Sequence, residues 1–545
     1  MNGTILGEVN HNHDVIFQSN RTRPNRNVFV VGGPGSYKTQ AYVMTNVFNE
    51  TENSIVVTDP KGELYEHTAA IKQAQGYEVH VINFANMAHS DRYNPLDYIR
   101  KDVDANEVAT KIVASGNKDS KKDVWYYSQI ALLKALILYV LNEREPALRN
   151  LKGVTEFLQA NSVTKDQDGV SELDQKFDEL EVSHPARKAY ELGFKKSKGE
   201  MQSSIIMSLL TTIANFVDEE VAEFTSFSDF DLKDIGDRKV ILYVIIPVMD
   251  TTFENLTNLF FTQMFSELYK LASDHHAHLP NEVDFLLDEF VNLGKFPKYE
   301  EFLATCRGYG IGVSTICQSL TQMQALYGKD KAESILGNNA VKICMNATNE
   351  ATAEYFSDLL GQATVKVRSG SQSTSHGRES NNSSKSDSYN YTSRKLMTPD
   401  EIMQMNENQE ILIFSNERPL KAKKTFQFKL FPGADHLVVL NQNEYQGQAS
   451  KTQLAQFKHQ NEEWKKREAK LRAKLREQEV ELEKQRQIEA KQAKKEKEAD
   501  QAEFYQQIFA SYQKQKLRKK QIKAGHQEEK QNKDNPQDTD NDFTL

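Results

Sequence analysis

The chain has 545 residues and carries 68 Lys and Arg against 77 Asp and Glu, a net charge of −9. An acidic total excludes a protein that coats nucleic acid over its whole surface but leaves room for a local basic channel; with 23 basic against 18 acidic residues from Lys451 onward, the excess acid sits in the first 450 residues. Three cysteines without paired spacing (Cys306, Cys317, Cys344) exclude a disulfide framework or a cysteine-based metal site and fit a reducing compartment.

The start, MNGTILGEVNHNHD, lacks the basic-then-apolar pattern of a signal peptide, and residues 1–25 read as a polar, flexible lead-in. Val28–Val31 is a short Val-rich run, hence a buried strand. A glycine-rich loop follows, and then Ala41, Met44, Val47 and Phe48 at helical spacing. Ile55–Thr58 is a second strand running into Asp59-Pro60-Lys61-Gly62-Glu63, and Val79–Phe84 a third. Strands alternating with helices predict an α/β fold with a mostly parallel sheet covered on both faces.

Strand signals fade over 104–235, where long helical patterns predict an all-α domain inserted between a first part (26–103) and a second part (236–440) of the nucleotide-binding domain. The most apolar run there, Ile130–Leu141, is too short to span a bilayer and contains Lys134. Strands resume at Val240–Ile246, Val283–Leu287, Ile311–Cys317, Val341–Met345 and Ile411–Phe414. The Ser/Asn-rich stretch 369–394 has too few apolar groups to offset its ordering entropy and reads as a mobile loop. Residues 441–545 read as a charged, helical or partly disordered tail. Its Lys/Glu/Gln-rich composition favours helix, and Phe457, Trp464 and Leu471 form a short heptad that then fails at Gln478.

Gly32-Gly33-Pro34-Gly35-Ser36-Tyr37-Lys38-Thr39, between a strand and a helix, has the form of a phosphate-binding loop. Its backbone N–H groups would curl around an anion at a helix N-terminus, Lys38 would reach the β- and γ-phosphates of ATP, and Thr39 would hold Mg²⁺. Tyr37 stands where the pattern has glycine, so it must tolerate the loop's backbone angles. Asp288 and Glu289, at the end of the strand Val283–Leu287, supply a carboxylate on the metal side and one to polarise water.

Arg307 suits an arginine finger acting on a neighbouring subunit's nucleotide, or else a surface arginine. Gln318, after the next strand, suits a γ-phosphate sensor, or else a polar strand terminus. Asp59 and Lys61 either bear on nucleotide or DNA or make a Pro-Gly turn. The histidines at 275, 276 and 278 read as a solvated helix end, and the run Lys514–Lys523 as either a solvated face or a contact for nucleic acid or an acidic partner.

Several segments in this order resemble one family: NRNVFVVGGPGSYKT, TDPKGELY, YNPLDYI, FLLDEFVNLGKFPKYEEFLATCRGYGIGVSTICQSLTQMQALYG, ILGNNAVKICM, TAEYFSDLLG, KLMTPDEI and ILIFSNERPLKAKK. Over most of 26–440 the chain resembles the type IV coupling proteins of bacterial conjugation, close to those of Gram-positive conjugative elements. The resemblance implies a RecA-like P-loop NTPase domain and places Lys38 and Thr39 in the first nucleotide motif and Asp288 and Glu289 in the second. It matches Arg307 to the family's trans-acting arginine and Gln318 to its glutamine.

It further implies a hexameric homo-oligomer that uses ATP and Mg²⁺ to deliver a relaxase–DNA complex to a secretion channel. Such a motor grips DNA, single- or double-stranded, largely without regard to sequence. The family's N-terminal transmembrane helices are not matched, which predicts a cytoplasmic protein brought to the inner face of the membrane by a membrane-anchored channel or recruitment protein. Two alternatives stand beside this motor: a relaxosome-tethering adaptor with little hydrolysis, and a chromosome-segregation type DNA translocase, against which the helical insertion and YNPLDYI argue.

Overall fold

The computed structural model describes residues 3–9, 14–20, 25–116, 123–162, 171–197, 200–247, 252–296, 298–377, 380–433 and 438–528. In chain order its strands are β1 (Gly3–Val9), β2 (Asp14–Ser19), β3 (Val28–Val31), β4 (Ser54–Thr58), β5 (Glu78–Asn83), β6 (Val240–Ile245), β7 (Val283–Leu287), β8 (Ile311–Cys317), β9 (Val341–Cys344), β10 (Gln362–Gly377), β11 (Ser380–Lys395), β12 (Gln409–Phe414) and β13 (Leu420–Lys423). Eleven form one sheet in the order β2-β1-β13-β12-β9-β3-β8-β7-β4-β6-β5. From β9 to β5 every neighbouring pair is parallel. The four strands beyond β9 add on antiparallel.

The parallel strands read as unbroken apolar runs because both faces are covered. On β3, Val28 and Val30 join one core with Ile55, Val57 and Ile343, while Phe29 and Val31 join the other with Val56, Ile82 and Phe285. The second core continues into the helices that leave the sheet after β5 and return at β6. The longest, Val124–Glu143, is capped by the Asp123 side chain on Tyr126 N–H. Among the described residues it is the one helix long and apolar enough to cross a membrane, and most of it is buried in the protein. The expected α/β, RecA-like architecture with a mostly parallel sheet is what the chain adopts.

Residues 1–25 depart from the expected flexible lead-in: β1 and β2 extend the sheet, and Ile5 and Leu6 are buried. Two apolar residues suffice because the backbone finds remote partners. Asn46 brackets Ile5, accepting from its N–H at 2.7 Å and donating to its carbonyl at 3.0 Å. Residues 1, 2, 10–13 and 21–24 of that stretch lie outside the described residues. Of the Ser/Asn-rich stretch 369–394, expected as a mobile loop, residues 369–377 and 380–394 lie in β10 and β11, which pair with each other from Gln362↔Lys395 to Gly377↔Ser380, and residues 378 and 379 lie outside the described residues. A ladder of backbone hydrogen bonds does not need apolar side chains, so composition is silent about it.

The boundary expected at 441 also moves. The compact body runs to Gln460, and Asn461–Leu545 is a separate unit. Residues 440–450 are tied down by specific polar contacts that composition does not announce. Tyr445 donates to Asp91 Oδ2 at 2.8 Å, and Gln442 Nε2 to the Lys61 carbonyl at 2.9 Å. The helix that starts at Lys451 continues through the second unit to Glu528.

Candidate nucleotide site

Parallel strands place their C-terminal ends, and the loops leaving them, on one edge of the sheet. Here the central trio β3-β8-β7 puts Gly32, Gln318 and Asp288 side by side. The loop start is pinned between neighbours: Gly32 N–H donates to Cys317 O at 3.2 Å, and Met345 N–H to Val31 O at 2.8 Å. The loop then rises over a tight floor. A Cβ on Gly33 would sit 2.2 Å from Thr348 Cγ2, so no larger residue fits there without a shift. Gly35 takes φ 75°, open to L-residues only at a cost.

Tyr37 resolves the departure from the usual motif. It adopts the left-handed conformation, φ 64°, that glycine would take freely. That geometry costs an L-residue roughly 1–2 kcal/mol. Its ring, 41% exposed, packs edge-on against Phe426 with centroids 5.5 Å apart, and Lys424 Nζ lies 6.0 Å from it. The backbone after β13 thus props the side chain that the loop had to accommodate.

Lys38 is buried and folds back so that Nζ donates to the Gly32 carbonyl at 2.7 Å. The same nitrogen lies 3.9 Å from Glu289 Oε1. Thr39 Oγ1 donates to Asp288 Oδ2 at 2.7 Å. Thr58, at the end of β4, donates to the Asp288 carbonyl at 2.6 Å and steadies the turn. Glu289 follows with φ 48°, a second left-handed residue of the site. Gln318 Nε2 donates to both Glu289 oxygens, at 3.1 and 3.0 Å. Burial pushes the Asp288 carboxyl up to about 6; the Thr39 hydrogen bond and the Lys38 charge pull the other way, and Glu289 adds to the rise.

Five of the residues expected to act together therefore meet: Lys38 and Glu289, Thr39 and Asp288, with Gln318 on Glu289. Arg307 does not join them. It is exposed and sits just before β8, at the opposite end of a seven-residue strand. At ~3.3 Å per residue that is roughly 23 Å from its own chain's loop. Asp59 ends β4, beside β7, directly after the Thr58 that holds the Asp288 carbonyl. It is buried, and its Oδ2 accepts from Tyr65 N–H at 2.8 Å, closing the turn into the helix Glu63–Ala74; Lys61 is exposed. The histidines at 275, 276 and 278 follow the C-terminal end of the helix Glu254–Asp274.

Thr58, Thr348, Lys424 and Phe426 support the site without having been singled out from sequence. Single polar or aromatic residues at strand ends carry no motif, and only the sheet order shows where they point. The site fits a phosphate chain with a divalent cation. Ser36 Oγ is buried in the loop without a hydrogen-bond partner, and the hydroxyl of Thr39 and the carboxylate of Asp288 are hard oxygen donors in contact.

Comparison with known proteins agrees with this arrangement. A family model described as "Type IV secretory system Conjugative DNA transfer" matches residues 2–465. The chain is 29% identical over 385 residues to conjugal transfer protein TraG of Escherichia coli, covering 65% of this chain and 58% of that protein. It is 30% identical over 211 residues to protein VirD4 of Agrobacterium fabrum, covering 38% of this chain and 30% of that protein. The chain thus spans little more than half the length of TraG and less of VirD4. Among solved structures, the plasmid coupling protein TrwB in complex with ADP and Mg²⁺ shares the fold, with a TM-score of 0.54 at 15% identity over 77% of this chain and 89% of that one. By its fold, its ordered motifs and the match over most of its length, the chain belongs to the type IV secretory system conjugative DNA transfer family.

Proposed function

We propose that this chain is the ATP-driven coupling protein of a bacterial conjugative type IV secretion system, linking a relaxase–DNA complex to the transfer channel and pumping DNA. The observation that carries the reading is the Lys38–Glu289–Gln318 and Thr39–Asp288 cluster at the C-terminal ends of β3, β8 and β7. Thr39 and Asp288 would hold Mg²⁺, which supplies charge neutralisation along the phosphates. Lys38 would exchange its bond to the Gly32 carbonyl for phosphate oxygens. Glu289, oriented by Gln318, would position water for attack on the γ-phosphorus, and the bond to the β–γ bridging oxygen would break.

Arg307, out of reach of its own site, fits action in trans within a ring of copies. Relatives named for conjugal transfer, and the ADP and Mg²⁺ in the TrwB structure, support the nucleotide and the process. The proposed location is the cytoplasmic face of the membrane, through a membrane-anchored partner.

The test is ATP hydrolysis with and without single-stranded DNA, at low and moderate salt. Wild type should be stimulated by DNA, with salt weakening the effect because phosphate contacts are screened. Lys38→Ala and Glu289→Gln should abolish it; wild-type activity in both would refute the site. Transfer that survives Lys38→Ala but not removal of the tail would instead identify a tethering adaptor.

A further inference from the structure

The second unit, taken by itself, carries an unusual stretch of helix. From Asn461 to Glu503 basic and acidic residues alternate, 13 against 12. From Phe504 to Gln527 there is no Asp or Glu, and Lys514, Lys516, Arg518, Lys519, Lys520 and Lys523 follow one another. In the same stretch Phe504, Tyr505, Ile508, Phe509 and Tyr512 are 48–64% exposed. At about 100° per helical residue these five fall within an arc of roughly 140°. Lys516, Lys519 and Lys520 continue along the same sector one to two turns later, and Lys523 follows in sequence. One face of the helix is thus apolar and aromatic, then cationic, while Gln506, Gln507, Ser511 and Gln513 line the other side.

We propose that Phe504–Lys523 is an interfacial helix that binds an anionic lipid surface, its aromatic face entering the headgroup boundary and its lysines meeting the lipid phosphates. Helices with this division of residues lie in the membrane plane, held by buried apolar area together with attraction to anionic headgroups. Charge complementarity selects this occupant. Nucleic acid would satisfy the lysines but leave Ile508 and most of a continuous aromatic arc in water, since stacking on bases uses separate ring faces. A second copy laid parallel on this face would set lysines against lysines. A protein groove would account for the arc but gives no reason for six cations without a single acid. The tail's chemistry stands independently of the nucleotide site.

The test is flotation of the full-length chain with vesicles of phosphatidylcholine, alone or mixed with phosphatidylglycerol. Binding should appear only with the anionic lipid and weaken with added salt. Phe504→Ser with Phe509→Ser, and separately Lys516, Lys519, Lys520 and Lys523 all→Gln, should each weaken it at least ~10-fold with helicity and ATP hydrolysis unchanged. Lys38→Ala should float like wild type, so failure of the nucleotide reading would not touch this one. No binding, equal binding to neutral vesicles, or wild-type binding by the Phe variant would overturn the proposal. So would loss, in the Phe variant, of single-stranded oligonucleotide binding or of self-association measured by sedimentation, with vesicle binding intact.

Discussion

The side-chain amide of Gln318 holds both carboxylate oxygens of Glu289, at 3.1 and 3.0 Å, across adjacent parallel strands. A carboxylate gripped on both oxygens has one orientation, and the residue gripping it stands beside the phosphate loop. A change on the nucleotide can therefore pass to Glu289 through one amide. Gln318→Ala should lower the turnover number for ATP about 10–100-fold and leave the KM within a few-fold, because it frees the group that positions water without removing phosphate contacts. Steady-state hydrolysis with DNA present measures both.

Asp288 makes the site sensitive to pH. Its carboxyl is pushed up to about 6 by burial, against 3.8 unperturbed. The folded state therefore binds the extra proton between about pH 4 and 6, and folding stability from this group falls as pH rises through that window. Asp288→Asn should stabilise the nucleotide-free protein at pH 8, by up to about 3 kcal/mol from the linkage alone. The gain should vanish below about pH 4, as followed by urea denaturation at several pH values. In wild type, Mg²⁺–ADP affinity should rise with pH to about 6 and then level off, since the metal needs the ionised carboxylate.

Tyr37 separates backbone strain from packing. Tyr37→Gly relieves the cost of φ 64° but loses the edge-on contact with Phe426, so stability should change by less than about 1 kcal/mol. Tyr37→Val keeps the strain, adds a β-branch and removes the ring, and should cost about 2 kcal/mol or more. Thermal melts of the two variants decide between them. A gain of about 1–2 kcal/mol from glycine would mean that the Phe426 contact contributes nothing.

Arg307 lies a full strand away from its own loop, which gives a complementation test. Arg307→Ala and Lys38→Ala should each be inactive alone. Mixed before assembly, they should regain part of the wild-type rate, because some interfaces then pair an intact loop with an intact arginine. A mixture as inactive as its parts would place Arg307 outside the reaction.

Asp91 joins His80 to Tyr445, within residues 440–450. Burial pulls the imidazole toward neutrality, but its hydrogen bonds to Asp91 and Glu78 and their charges outweigh it and raise it to about 9. Its contribution to stability is therefore complete below about pH 6.5 and lost as pH rises through about 9. Asp91 also accepts from Tyr445, so Tyr445→Phe should destabilise by about 1 kcal/mol. It should also speed proteolysis in residues 440–450 relative to the core strands.

The sequence by itself determined the parallel sheet and the chemistry of its edge. Val28–Val31, Ile55–Thr58 and Val283–Leu287 are unbroken apolar runs because strands buried on both faces have no polar side to show. Lys38, Thr39, Asp288 and Glu289 stand out because the phosphate and metal binding proposed for them would demand those residue types right after such runs. What depends on partners far along the chain was not legible. Ile5 is held by Asn46, Tyr445 reaches Asp91, and Thr58 steadies the Asp288 turn, through one or two hydrogen bonds each that leave no period in the sequence. The Ser/Asn-rich stretch is paired by a backbone ladder, to which composition is blind. Only the strand order decided that Gln318 lies between the phosphate loop and Asp288 and grips Glu289, while Arg307, at the far end of β8, does not. Residues at the same end of neighbouring strands meet whatever their separation in sequence, and residues at opposite ends of one strand do not.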